Sequence, residues 1–190
     1  MGDIVLTTSR LELRQIGPDD LELHLEYLNS RAVMERLGGP RTRAQLATKH
    51  EKSRAGFERE GFGFMFAFEK SSGELVAHCG MKRVDNIHAP NIGDHEIGWL
   101  VREDRWRIGY AEEAVRAVID WAFGTHDAPH VVALTSEANI GSWKLMEKLA
   151  MVRRRDLDFS DPGFCEEDNP TIQYSLTRQQ WENIRCTAPA

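Results

Sequence analysis

The spacing of hydrophobic and polar residues changes along the chain and predicts its main elements. Between 111 and 122 apolar residues recur every three or four positions, which predicts an amphipathic helix that ends at Gly124. From Arg10 to Ile16 apolar and polar residues alternate, as they do in an edge strand. Between 62 and 68 a phenylalanine stands at every second position with further apolar residues in between, so this strand should be buried on both faces.

Caps, turns and shorter apolar runs predict the remaining elements. In order, they are a helix opened by Asp19 and Asp20, a short helix 32–37, a polar helix from Thr42 to about Glu60, strands 74–84, 92–101 and 130–135, a helix opened by Asn139, strands 152–159 and 171–176, and a short terminal helix from Thr177. Antiparallel strands come first, and strands then alternate with helices. This order predicts an α+β fold with a mixed, mostly antiparallel sheet.

Length and composition limit the possible classes of protein. A chain of 190 residues, 41% of them hydrophobic, is long enough for one substantial core, so we expect a single domain over 1–190. The net charge of −6 argues against general nucleic-acid binding. No apolar run is long enough to span a membrane, and the start of the chain lacks the pattern of a secretory signal. We therefore expect a cytoplasmic protein with neither nucleic-acid nor membrane partners.

The cysteines and histidines do not suggest a metal site. The three cysteines are widely separated in the sequence, and reduced thiols are expected. The seven histidines are scattered, and neither an HExxH motif nor a pair of closely spaced cysteines occurs. We therefore expect no metal cofactor.

A short loop precedes the amphipathic helix and is a candidate for binding phosphate. Gly109 stands at the mouth of the helix, where a missing side chain lets a ligand approach the backbone. The first N–H groups of a helix lack internal partners and lie at the positive end of its dipole, so such a place can hold an anion. On this pattern alone, an ordinary turn between a strand and a helix explains the loop equally well.

Two longer motifs resemble a known family. Glu96–Leu100, followed by the loop 106–111 and then Glu112, Glu113 and Ala114, is similar to the strand and acetyl-CoA-binding motif of the GNAT superfamily of N-acetyltransferases. The pattern most resembles the RimJ/RimL-like branch, whose members acetylate ribosomal-protein N-termini. A second motif of that branch is matched by Asn139, Ser142, Leu145, Glu147, Lys148 and Leu149.

The resemblance covers about 7–177 and leaves 178–190 as a tail. It implies a single GNAT-like domain whose central sheet is splayed between two strands and flanked by helices. It also implies that the donor is acetyl-CoA and that a primary amine attacks it directly in a ternary complex. The cofactor-binding residues that it implies are Trp99, Leu100, Val101, Trp106, Arg107, Ile108, Gly109, Tyr110, Ala111, Asn139 and Ser142.

Within this resemblance, Glu96 is the candidate general base and Ser142 the candidate donor to the leaving sulfur. An amine is almost wholly protonated at neutral pH, so a carboxylate must take a proton before the attack. Glu96 lies in an apolar strand, where partial burial would raise its pKa. Strand alternation puts His95 on the opposite face, so at most one of the two faces the cleft.

Structural interpretations remain open beside the functional ones. Asn139 and Ser142 can serve as helix caps, and for Asn139 the cap and the ligand role are compatible. Glu96 can pair with a surface base, and Tyr110 can either stack on a ligand or merely pack. Arginines 105 and 107 can add positive charge to the loop or simply balance neighbouring acids.

Three positions depart from the family pattern. Trp106 stands where the wider consensus has Gln or Arg, and Arg107 and Ala150 stand where the family usually has Gly. Arg107 can still offer its backbone N–H to a pyrophosphate, provided that no positive φ is required there. At Ala150 only the termination of the preceding helix is affected.

The acceptor and the exact activity stay open at this stage. Six carboxylates between 156 and 168 can attract a cationic amine or a basic protein N-terminus, or they form a solvated acidic loop without a substrate. The alternative functions are a catalytically silent acyl-CoA-binding module and transfer of a longer acyl group such as succinyl. Homodimers occur in the branch, so a homodimer is possible here.

Overall fold

The computed structural model describes residues 2–187, which group into two compact units. Unit 1 comprises 2–82 and 98–118, and unit 2 comprises 83–97 and 119–187. Within the described residues, no helix has both the length and the apolar character needed to cross a membrane. The single domain expected over 1–190 stays a prediction, and residues 188–190 of the expected tail lie outside the described residues.

Unit 1 is built on an antiparallel sheet in which β1, β2, β3 and β4 are neighbours in that order. Its elements are β1 (Ile4–Thr7), β2 (Leu11–Gln15), α1 (Leu21–Tyr27), α2 (Arg31–Met34), α3 (Arg43–Glu60), β3 (Phe64–Glu69) and β4 (Leu75–Arg83). It also contains the end of β5 (His95–Val101) and the start of α4 (Tyr110–Gly124). The stripe of α4 predicted to face inward is confirmed, since Ala114, Val115 and Val118 are fully buried.

The prediction that residues 10–16 form an edge strand is wrong in one respect. The strand exists as β2, but β1 pairs on its outer side, with Leu6 opposite Leu13. Because β1 has four residues that are only partly buried, no alternation marks it in the sequence. The predicted burial of β3 on both faces is confirmed by Met65, Phe66 and Ala67, which are fully buried.

The start of α3 is confirmed at its predicted cap. The Thr42 hydroxyl accepts from the Gln45 N–H, and the Gln45 side chain accepts from the Thr42 N–H at 2.8 Å. This capping box satisfies two amides that the helix itself cannot pair. The helix ends at Glu60, as predicted, because Gly61 adopts a left-handed conformation behind it.

The structure brings together three of the histidines that looked scattered. His24, His50 and His78 lie against Phe66, and the ring centroid of His24 is 5.1 Å from that of His50 and 5.3 Å from that of His78. Burial, together with His50 and Lys49, lowers the pKa of His24 to about 4. These rings are therefore neutral core groups at pH 7.

Unit 2 holds the part of the sheet that makes it mixed. Its further elements are β6 (His130–Ser136), α5 (Ile140–Lys148), β7 (Val152–Arg153), β8 (Thr171–Thr177) and α6 (Arg178–Thr187). β5 and β6 are parallel, with Glu96 opposite Val132, whereas β8 is antiparallel to both β6 and β7. The α+β class with a mostly antiparallel mixed sheet is confirmed. The splay beside Trp99 stays a prediction.

The predicted strand 152–159 is wrong beyond Arg153. Residues 155–157 form a single 3-10 turn, after which Phe159 makes one isolated bridge to Thr171. Between Arg153 and Phe159 the chain bulges away from β8, and the Arg153 guanidinium bridges the bulge by holding both oxygens of Asp158, each at 2.6 Å. The terminal helix is confirmed as α6, and Thr177 and Gln180 form its capping box.

Candidate active site

The loop between β5 and α4 enters the helix through a glycine in the left-handed region. Gly109 has φ 92° and its carbonyl accepts the first helical hydrogen bond, from the Glu113 N–H at 3.1 Å. The residue at this N-cap position therefore has no side chain that could satisfy the first amides of α4. Trp106 and Ile108 are 46% and 45% exposed, so the loop lies at the surface of unit 1.

Arg107 has a positive φ, so its backbone is strained for a residue other than glycine. Its φ is 62°, in the left-handed region where a side chain costs roughly 1–2 kcal/mol. Ala150 has φ 58° at the end of α5, where the Met151 N–H donates to the Met146 carbonyl at 3.0 Å. The family pattern therefore has glycine at two positions where the backbone of this chain is left-handed.

Two aromatic side chains of the loop region form hydrogen bonds within unit 1. The Trp106 indole N–H donates to the Val101 carbonyl at 2.8 Å, which ties the loop to the end of β5. Tyr110 is only 3% exposed, and its hydroxyl donates to the Glu69 carboxylate, which raises the pKa of the phenol. Tyr110 therefore packs, and the stacking interpretation is wrong for its ring.

The arginine before the loop is engaged in surface ion pairs. Arg105 pairs with Glu74, and its Nε lies 3.7 Å from Asp104 Oδ2. Arg102 contacts the same two carboxylates. The charge-balance interpretation therefore holds for Arg105, which contacts Asp104 and, farther away in the sequence, Glu74. Arg107 is exposed.

Two glutamates in the first turn of α4 are each neutralised by an arginine. Glu112 accepts from Arg116 at 3.0 Å, and Glu113 accepts from Arg10 Nε at 2.6 Å. Partial burial opposes ionisation of Glu113, but hydrogen bonds from Thr8 and Arg10 lower its pKa overall. Sequence reasoning missed this use of Arg10. The available signal was its place at the start of the alternating segment 10–16.

In unit 2, β5 presents Glu96 and His95 on opposite faces, as predicted. His95 and Ile97 are 8% and 2% exposed, while Glu96 between them is half-buried. The His95 Nδ1 lies 3.3 Å from Arg83 Nη1, so the histidine is engaged on the buried face. The choice of Glu96 as the candidate base is consistent with this alternation.

The start of α5 is capped by Asn139. Its Oδ1 accepts from the Ser142 backbone N–H at 3.3 Å, so the cap interpretation is correct for this residue. The cap uses the amide oxygen, and the Nδ2 group is left as a potential donor to a ligand. Because the cap involves the N–H of Ser142, the serine hydroxyl is not needed for it.

The acidic segment carries fewer free charges than predicted. Asp168 is 5% exposed and accepts from Ser136 Oγ at 3.0 Å and from Cys165 Sγ at 3.4 Å. Asp156 and Asp158 pair with arginines, and Asp161 accepts from Asn86 and the Gly163 N–H. Of the three residues nearest the end of this segment, Glu166 and Glu167 are exposed.

Comparison with known proteins agrees with this fold. The Acetyltransferase (GNAT) domain model matches residues 10–152, well over half of the chain. The uncharacterized N-acetyltransferase YnaD of Bacillus subtilis is 25% identical over 183 residues, which cover 93% of this chain and 98% of that protein.

Several solved structures of acetyltransferases share this fold. An acetyltransferase from Agrobacterium tumefaciens superimposes with a TM-score of 0.75 at 25% identity, covering 94% of this chain and 96% of that one. Aminoglycoside acetyltransferase AAC(6')-Ib, in complex with coenzyme A, gives 0.70 at 20%, covering 92% and 99%. Ribosomal-protein-S5-alanine acetyltransferase from Vibrio fischeri gives 0.69 at 14%, covering 94% and 99%. With these likenesses in fold and a family match over 10–152, the chain belongs to the GNAT family and is an acetyltransferase.

Proposed function

We propose that this chain binds acetyl-CoA with the pyrophosphate against the backbone amides of 107–111. The observation that carries this proposal is the start of α4, where Gly109 leaves the first amides uncapped at the positive end of the helix. The two acids of that turn are already paired with arginines, so they do not oppose an anion with their full charge.

The pantetheine arm is proposed to run along the backbone of Trp99, Leu100 and Val101. Backbone N–H groups of this strand would polarise the thioester carbonyl by hydrogen bonding. The Val101 carbonyl already accepts from Trp106, so the N–H groups are the more suitable contacts. The Nδ2 group of Asn139 is proposed to bind an amide carbonyl of the arm.

In the proposed reaction, the amine nitrogen bonds to the thioester carbon and the carbon–sulfur bond breaks. The ammonium group first loses one proton to Glu96, directly or through water. The leaving sulfur receives a proton from Ser142, and the second proton that the attacking nitrogen releases restores the serine hydroxyl. The support for these roles is that both residues occupy the matching positions of family motifs. The half-buried place of Glu96 on β5 and the hydroxyl of Ser142 outside the cap are compatible with them.

The proposed acceptor is a primary amine on a protein N-terminus or a small molecule. Two structural neighbours are named for acceptors of these kinds, an aminoglycoside and the alanine of a ribosomal protein. The exposed Glu166 and Glu167 place negative charge at the surface of this segment, which favours a cationic acceptor.

Turnover with acetyl-CoA against N-terminal peptides, polyamines, amino acids and aminoglycosides tests the proposal. On the best acceptor, Glu96→Gln should lower the rate by roughly 10²- to 10⁴-fold with CoA affinity nearly unchanged, because the proton acceptor is lost. Ser142→Ala should slow turnover by roughly tenfold, since a thiolate leaves with limited help. Glu12→Gln, at a half-buried glutamate of β2, is the matched control.

Two results would contradict these roles. A parent-like rate for Glu96→Gln across about pH 6 to 9 would move the base to another residue. Binding of CoA without turnover on any acceptor would favour the silent acyl-CoA-binding module, and turnover with succinyl-CoA in preference to acetyl-CoA would favour the longer acyl donor.

A further inference from the structure

We propose that Arg10 positions the CoA-binding loop from outside it, by holding the Ile108 carbonyl and by neutralising Glu113. This inference rests on the proposed binding of CoA at the loop. Arg10 lies just before β2, where its carbonyl accepts from the Lys70 N–H at 2.9 Å, so its backbone is held by the sheet of unit 1.

One guanidinium contacts both sides of Gly109. Its Nη1 donates to the Ile108 carbonyl at 3.1 Å, and its carbon lies 4.6 Å from the centroid of the Tyr110 ring. Its Nη2 is 3.4 Å from the place that a Cβ would take at Gly109. The loop residues before, at and after the helix N-cap are therefore all packed against Arg10.

The contact with Ile108 fixes the direction of the next amide. The peptide bond between Ile108 and Gly109 is trans, and in a trans peptide the C=O and the following N–H point in opposite directions. Since the Ile108 carbonyl points toward Arg10, the Gly109 N–H points to the other side of the loop. Holding this amide in place before the ligand arrives lowers the ordering cost of binding.

The second effect of Arg10 is electrostatic. Glu113 is held in the first turn of α4 by hydrogen bonds from the Thr8 and Ser9 hydroxyls, at 2.5 and 3.0 Å, and from the Arg10 backbone N–H at 2.8 Å. These bonds would keep the carboxylate there if the guanidinium were removed. An unpaired negative charge would then remain in the first turn of α4 and weaken the attraction of the helix start for a pyrophosphate.

Calorimetric titration with CoA is the test. We expect Arg10→Ala to weaken CoA binding by roughly 10- to 100-fold, because both the amide direction and the charge balance are lost. Arg10→Lys keeps the charge but cannot hold Glu113 and the Ile108 carbonyl with one planar group, so a loss of about 3- to 10-fold is expected.

Arg116→Ala is a matched control on the same helix. The Arg116 side chain is 40% exposed against 42% for Arg10, and it pairs with the other first-turn glutamate, Glu112. Its replacement removes the charge that pairs with Glu112 but does not touch the Ile108 carbonyl, so CoA affinity should fall by only about threefold, which separates the effect of charge from that of the amide direction.

Kinetics and a second ligand separate positioning from a merely structural role. In Arg10→Ala the KM for acetyl-CoA should rise while kcat and the acceptor KM stay near the parent values, whereas general destabilisation would lower the active fraction. Dephospho-CoA should lose as much affinity as CoA, because the pyrophosphate is common to both. A loss confined to CoA would assign Arg10 to the 3′-phosphate and overturn the proposal.

Parent-like CoA affinity in Arg10→Ala overturns the inference and leaves the proposed function intact. Absence of CoA binding in the parent itself overturns the proposed function, and this inference with it. If Arg10→Ala does not fold, Arg10→Lys decides, and CoA affinity in Arg10→Lys equal to that of the parent overturns the inference.

Discussion

The first turns of α4 and α5 meet the same physical requirement in different ways. Both helices begin with amides that have no partner within the helix. At α5 the side chain of Asn139 accepts from the Ser142 N–H. At α4 the corresponding position is Gly109, which has no side chain, and two arginines neutralise the two glutamates of the turn.

This difference separates two kinds of binding site. A capped helix start has fewer free N–H groups that could donate to an anion. An uncapped start whose acids are neutralised can still bind one. We propose that both places contact CoA. In this proposal the start of α4 holds the phosphates, and the start of α5 contributes two side-chain groups, the Nδ2 of Asn139 and the hydroxyl of Ser142.

The largest loss of CoA affinity is expected at Gly109, the residue in which the start of α4 differs from the start of α5. Gly109→Val should lower CoA affinity by about 100-fold or more, since a β-branched side chain disfavours φ 92° and its Cβ would lie 3.4 Å from Arg10 Nη2, against the guanidinium that holds the loop. Gly141→Val at the start of α5 is the control, because a Cβ there meets no atom within 4 Å. If calorimetry shows both variants binding CoA equally well, the start of α4 is not the phosphate site.

Smaller effects, on stability and on the KM for acetyl-CoA, are expected at Asn139, which caps α5. Asn139→Ala removes the cap and should lower the free energy of unfolding by about 1 kcal/mol. Asn139→Asp keeps an acceptor oxygen but loses the Nδ2 group, so stability should be kept while the KM for acetyl-CoA rises. Denaturant unfolding and steady-state kinetics measure the two effects separately. An unchanged KM in Asn139→Asp would leave this residue as a cap alone.

Features of the fold and the site that depend on neighbouring residues were predictable from the sequence. The capping boxes at Thr42 and Thr177 follow from a fixed spacing of three residues, and the structure contains both. The glycine at the start of α4 was found in the same way. Each of these features is decided by local backbone chemistry, which sequence spacing reports directly.

Contacts between distant parts of the sequence were not predictable in this way. Arg10 and Glu113 are separated by 103 positions, and no periodicity relates them. The strand predicted over 152–159 failed because pairing of Arg153 with Asp158 competes with extension of the chain. A pattern of apolar residues contains no information on which charged side chains will meet after folding.

The smallest effects are expected at Arg107 and Ala150, the two non-glycine residues that stand where the family has glycine. Their φ values, 62° and 58°, are nearly equal, so the backbone gain from glycine should be nearly equal too. Relief of left-handed strain gives roughly 1–2 kcal/mol, and the greater freedom of glycine in the unfolded chain offsets roughly half of that. Arg107→Gly and Ala150→Gly should each raise the free energy of unfolding by about 0.5–1 kcal/mol.

Arg107→Gly and Ala150→Gly also test whether the loop binds CoA through its backbone or through the Arg107 side chain. Ala150→Gly ends a helix and should leave CoA affinity unchanged. If the amides carry the binding, Arg107→Gly should also stay within about threefold of the parent, because it keeps every N–H group. A loss of tenfold or more, about 1.4 kcal/mol, in Arg107→Gly alone would show that the guanidinium contributes. Such a result would explain why this chain tolerates a strained backbone at Arg107, where the family pattern usually has glycine.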